Sequence, residues 1–170
     1  TYYVPSNMAV VLVGDFEFDE TIQKVNDAFG DYENKTVEHP VFAAEEPITE
    51  TKVNEVFGPT SESVYVSYRT DKKGSEQSKY ITLVDMILSN SSAGLMDLNL
   101  NQKGLVQRAG TYPSFLNDYG FHMLNGSPKQ GQSLEEVKDL MISQVELIKS
   151  GEFEDWMLDA VINDMKLTLT

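Results

Sequence analysis

The sequence predicts an α+β fold: a mostly antiparallel sheet with helices packed mainly on one face. Three observations lead there. Short alternating runs such as "VYVSY" at 64–68 read as strands, and several are separated by links too short for a crossover. Longer segments with apolar residues at helical spacing lie between and after them. The resulting order, β-α-β-β-α-(α)-β-β-α-α, lacks the strict strand–helix alternation of a parallel sheet.

Each element has a local reason. The run "MAVVLV" at 8–13 is β-branched and apolar on both alternating faces, as in a strand covered on both sides. Asp19 is the expected N-cap of a helix carrying Ile22, Val25 and Phe29, and Gly30 is its stop. A charged connector with Pro40 and Pro47 follows. A strand is expected over 49–57, then Gly58 and Pro59 as a turn, then a second strand over 64–68 that forms a hairpin with it. Ser75 caps a helix to about Ser89 with two apolar stripes, Ile81, Val84, Leu88 and Leu83, Ile87. A short helix over 95–100 and strands over 107–116 and 121–126 come next. Ser133 and Glu136 form a capping box ahead of Val137, Leu140, Met141, Val145 and Ile148, and Gly151 ends that helix. A last helix begins at Glu154 and Asp155 and repeats Met157, Val161 and Met165.

Composition narrows the function. The net charge is −14 across 170 residues, so nucleic acid, which needs clustered Lys and Arg, is not an expected partner. The longest apolar run, 8–13, is far shorter than the ~20 residues of a membrane span. There is no cysteine, which removes disulfides, thiolate nucleophiles and Cys-held zinc. Asn34 and Asn90 stand in Asn-x-Ser/Thr patterns.

No catalytic constellation emerges. The two histidines, His39 and His122, stand outside any HExxH or HxxEH spacing. Asp15, Glu17 and Asp19 match the first acids of a calcium loop, but its glycine and bidentate glutamate positions hold Glu20 and Asn26. Glycine-rich phosphate loops and a Gly-x-Ser-x-Gly elbow are missing. Tyr2, Tyr3 and Trp156 suit a core or interface better than a ligand pocket. A hydrolase built on Asp and His requires His39 or His122 beside a carboxylate in a pocket.

The opening "YYVPSNMAVVLVGDFEFDETIQKVNDAFGDY" resembles the stretch that follows the catalytic domain in pitrilysin/insulinase-type zinc metalloproteases. Tyr2, Tyr3, Pro5, Asn7, Met8, Val13, Gly14, Asp15, Phe29 and Gly30 stand in the family's pattern. "FGPTSESVYVSYRT", "SSAGLMDLNLNQKGL" and "GSPKQGQSLEEVKDLMISQVELIKSGEF" extend the likeness over nearly the whole chain. The resemblance implies a metallohydrolase-like α+β domain, residues 1–170, of the non-catalytic kind that follows the HxxEH domain. It implies an excised fragment of a longer protein, with zinc held upstream and not here. It names the catalytic domain of the same chain and the parent's peptide substrates as partners. The family's substrate-clamping Arg and Tyr, seven residues apart, fall on Leu100 and Gln107, which supply neither group. No catalytic, substrate-binding or metal residue is therefore carried over. The alternative is a scaffold or interaction module from a family member that has lost HxxEH.

Overall fold

The computed structural model describes residues 2–168, with the side chain of Thr168 left aside. The chain divides into two compact units, Thr1–Pro47 and Ile48–Thr170.

The first unit holds a turn of 3-10 helix, Pro5–Asn7, and helix α1, Phe18–Phe29. Glu17 occupies the cap position, which places Asp19 in the first turn, not at the N-cap; its charge still suits the helix dipole there. Residues 8–13 are not a strand. They carry no ladder, and Val11 and Val13 are 82% and 94% exposed. Within residues 2–47 no second strand exists for them to pair with, and a lone strand has no stability. Among the described residues of that unit, Val4 is the one that is buried.

The second unit is built on three antiparallel strands: β1 (Val64–Asp71), β2 (Arg108–Phe115) and β3 (Tyr119–Ser127), in the order β1-β3-β2. The β2–β3 hairpin closes where the Leu116 N–H donates to the Tyr119 carbonyl at 3.0 Å. The expected hairpin of 49–57 with β1 is not formed. Residues 51–57 have no ladder partner, because their apolar residues fall on both faces and leave neither one continuous. Here β1 pairs instead with β3, Val64 opposite Gly126 and Tyr68 opposite His122.

Helices α2 (Glu76–Leu88), α3 (Leu134–Ser150) and α4 (Asp155–Thr168) complete the unit. Gly120, His122, Leu124 and Gly126 alternate as buried positions of β3 on the face the helices cover. A Cβ on Gly126 would lie 2.5 Å from Val137 Cγ1 and 2.9 Å from Met141 Sδ, so α3 sits directly on the central strand. Leu88, Met96, Leu100, Leu124, Val137 and Met141 are fully enclosed and form the centre of the core. Met157 and Val161 join it from α4, where Met165 packs at its margin. Burial of each such side chain contributes about 1.5–3 kcal/mol.

The caps follow the sequence. Ser75 accepts from the Ser78 N–H at 3.1 Å. Ser133 and Glu136 satisfy one another's backbone N–H groups. Gly151 ends α3 at φ +74°, where a side chain would be strained.

Candidate functional site

The chemically richest region lies between α2 and the outer edge of β2. After α2 the chain runs through Asn90 and Gly94 into a short π-helical turn, Asp97–Asn101. π-Turns interrupt regular backbone pairing and often mark sites where a side chain is redirected. Here two side chains do the pairing. Buried Asp97 accepts from the Asn90 N–H at 2.9 Å and the Gly94 N–H at 3.2 Å, holding the loop closed. The Asn101 amide donates to the Ala109 carbonyl at 2.8 Å and accepts from the Ala109 N–H at 2.8 Å. It stands in for one residue of a neighbouring strand. Ser91 in this loop takes φ +69°, a costly backbone for a residue other than glycine.

A cleft of about 480 Å³ opens beside this network, with Ser89, Ser91, Arg108, Thr111, Tyr112 and Asn125 in its walls. Among the described residues the buried Thr111 hydroxyl has no hydrogen-bond partner. A second, shallower cleft of about 500 Å³ is lined by Glu62, Gln107, Lys129 and Gln132. Neither contains a histidine.

His122 does meet a carboxylate. Its Nε2 lies 2.8 Å from Asp85 Oδ1, joining β3 to α2, with side-chain exposures of only 6% and 14%. The pair lines neither of these two clefts. Its geometry is that of a tie between sheet and helix. His39 is exposed in the connector, and Asp15, Glu17, Asp19 and Glu20, before and in the first turn of α1, are exposed as well. Among the described residues no group of three or more His, Cys, Asp or Glu side chains is placed to hold a metal ion.

Leu100, at the clamp arginine's place, is 1% exposed and belongs to the core. Gln107 is exposed, and its backbone N–H donates to the Ser127 carbonyl at 3.0 Å. The titratable groups with displaced pKa values belong to α3. Glu136 is held below its usual value by the Ser133 backbone and hydroxyl. Lys138 is raised by the hydrogen bond to Glu135, and Lys149 by that to Glu146. Glu136 and Lys149 are exposed and Lys138 is half-buried; all three stabilise helix turns, and none lines the cleft beside Asp97.

Sequence reasoning did not find the Asp97–Asn101–Ala109 network. Its only trace was the polar interruption at 90–94, which reads as a break and not as a staple. The His122–Asp85 pair spans 37 positions, and no local pattern announces it.

Comparisons complete the description. The family model described as the peptidase M16 inactive domain matches residues 1–165. Among solved structures the chain is similar to the crystal structure of a protease from Helicobacter pylori, with a TM-score of 0.81 and 20% identity. That likeness covers 99% of this chain and 42% of the protease chain, so this chain spans less than half the length of the protein it matches. No curated protein matches it. Among the described residues no helix is long and apolar enough to cross a membrane.

Proposed function

Because this chain belongs to the family of peptidase M16 inactive domains, we propose that it is the structural, non-catalytic domain of a zinc-dependent peptidase. In this reading it follows an HxxEH catalytic domain in the same protein. It packs on that domain and forms part of the wall of the chamber in which peptides are cleaved. Zinc is bound by the catalytic domain, where it activates water for attack on the peptide bond.

The observation that carries the reading is the family match, which runs almost end to end. The site geometry supports it. At the clamp positions stand a core leucine and an exposed glutamine, so this copy grips no substrate backbone there. The sheet offers a face opposite the helices. On it Tyr112 meets Phe121 edge-on at 5.9 Å, and Arg69 lies 5.2 Å over Tyr119. Tyrosine and arginine on one rigid face suit contact with protein.

The test is a comparison of the intact protein with a version lacking this segment. The expected result is zinc at one ion per molecule in both, with peptide cleavage reduced or relaxed in size selectivity when the segment is gone. Loss of the metal ligands themselves with this segment, at unchanged folding of the remainder, contradicts the proposal.

A further inference from the structure

The outer edge of β2 forms one wall of the cleft beside the Asp97 network. Asn101 takes both backbone groups of Ala109, which therefore point away from β3. Residues of an antiparallel strand alternate in this respect, so Thr111 and Pro113 point the same way. Pro113 has no N–H to offer. For the N–H and C=O of Thr111 no bond outside the ladder is found among the described residues. An open backbone donor thus stands between two closed positions, and Thr111 lines the cleft.

The side chains around it are short of partners too. Among the described residues no hydrogen bond or ion pair engages the side chains of Ser89, Ser91, Arg108 or Asn125, which all stand in the walls. The buried Thr111 hydroxyl is in the same position. Gly110 leaves room between these groups. A Cβ there would lie 3.7 Å from Ser89 Oγ and 4.0 Å from the Asn125 amide, so any side chain at this place would grow into the space they surround.

Charge decides what fits. Among the described wall residues Asp97 is the one carboxylate, and it is already taken. Its Oδ2 accepts from the Asn90 and Gly94 N–H groups, and its Oδ1 from the Asn101 amide at 3.3 Å. Arg108 is the one cation of the walls, and its planar fork of N–H groups matches a carboxylate. The hydroxyls and the Thr111 N–H add further donors. A chain of net charge −14 repels a doubly charged phosphate more strongly than a singly charged carboxylate.

We propose that this cleft binds a carboxylate, seated on the Arg108 guanidinium with Ser89, Ser91 and the Thr111 N–H as further donors. Its volume of about 480 Å³ lies in the range of small-molecule sites. The carboxylate comes from a small organic acid or from the C-terminal end of a peptide.

The test is an NMR titration of the whole chain with sodium acetate, against sodium chloride at equal ionic strength. Acetate shifts the Thr111 amide and Arg108 Nε–H signals saturably in the millimolar range, and chloride does not. Arg108 is exposed, so its variants leave the fold intact. Arg108→Gln weakens binding at least about tenfold, and Arg108→Lys restores part of it. Gly110→Val fills the cleft and abolishes binding, with only ordinary contacts awaiting its Cβ. N-acetyl-dialanine and its C-terminal amide separate the two sources. Tighter binding of the free acid than of acetate assigns the site to peptide ends, and equal binding assigns it to small acids. Shifts that fail to saturate, or that persist in Arg108→Gln, mean an adventitious ion only and overturn the proposal. Phosphate bound more tightly than acetate overturns it as well.

Discussion

Replacing Asn101 by alanine removes one side chain and orphans two backbone groups at once. Ala109 is 3% exposed, and both its N–H and its C=O end on the Asn101 amide. A buried backbone group left without a partner costs about 1–3 kcal/mol, which sets an upper figure of about 6 kcal/mol for two. Asn101 itself is half-buried, so water entering the truncated site offsets part of this, and the expected loss is about 2–3 kcal/mol. The bond to Asp97, at 3.3 Å, adds little. Urea unfolding reads the loss as a midpoint lowered by about 1 M at unchanged slope. The variant also uncovers the backbone of Ala109 at the outer edge of β2, so it self-associates at concentrations where the parent chain does not. A stability unchanged within about 0.5 kcal/mol refutes the reasoning, because the amide would then be a bystander and not the edge's closing residue.

Gly126→Ala drives a methyl against Val137 and Met141 in the middle of the core; unfolding should show a loss of about 1–3 kcal/mol, whereas a neutral outcome means α3 can slide. Asp85→Ala leaves buried His122 without its carboxylate and should cost about 1–3 kcal/mol in denaturant, while peptide cleavage by the intact protein changes no more than the folded fraction does. A larger activity loss in that variant would make the pair catalytic. Glu136 has a folded pKa below its unfolded value of 4.5. Its contribution is therefore complete above that value and is lost as pH falls through the lower folded one. An NMR titration of the Glu136 carboxyl should show the lowered midpoint, and Ser133→Ala should return it toward 4.5.

The second unit was legible where local chemistry decides structure. Ser75, Ser133, Glu136 and Gly151 fixed helix ends because each satisfies or frees a backbone group within a few residues. The β2–β3 hairpin was legible because a four-residue break leaves an antiparallel return as the only route. The strand expected at 8–13 was not found because burial depends on what lies beside a segment, and that unit offers no second strand. At 49–57 alternation suggests a strand, yet Lys52, Asn54 and Glu55 leave too little apolar area on either face to hold one against the sheet. The π-turn was invisible for a different reason. Asn101 imitates a strand residue, and a sequence gives no sign that an amide will pair with backbone eight positions away. The order of strands and helices carried the α+β fold, and the resemblance supplied what local patterns could not, the M16 family matched over residues 1–165.

The measurement that bears most directly on the central claim is zinc-dependent peptide cleavage by the 170-residue chain alone. Incubated with zinc and unfolded peptides, it should bind no zinc by calorimetry at micromolar concentration and release no fragments. Stoichiometric zinc uptake accompanied by turnover that a chelator abolishes would show a metal centre within this chain and contradict the account.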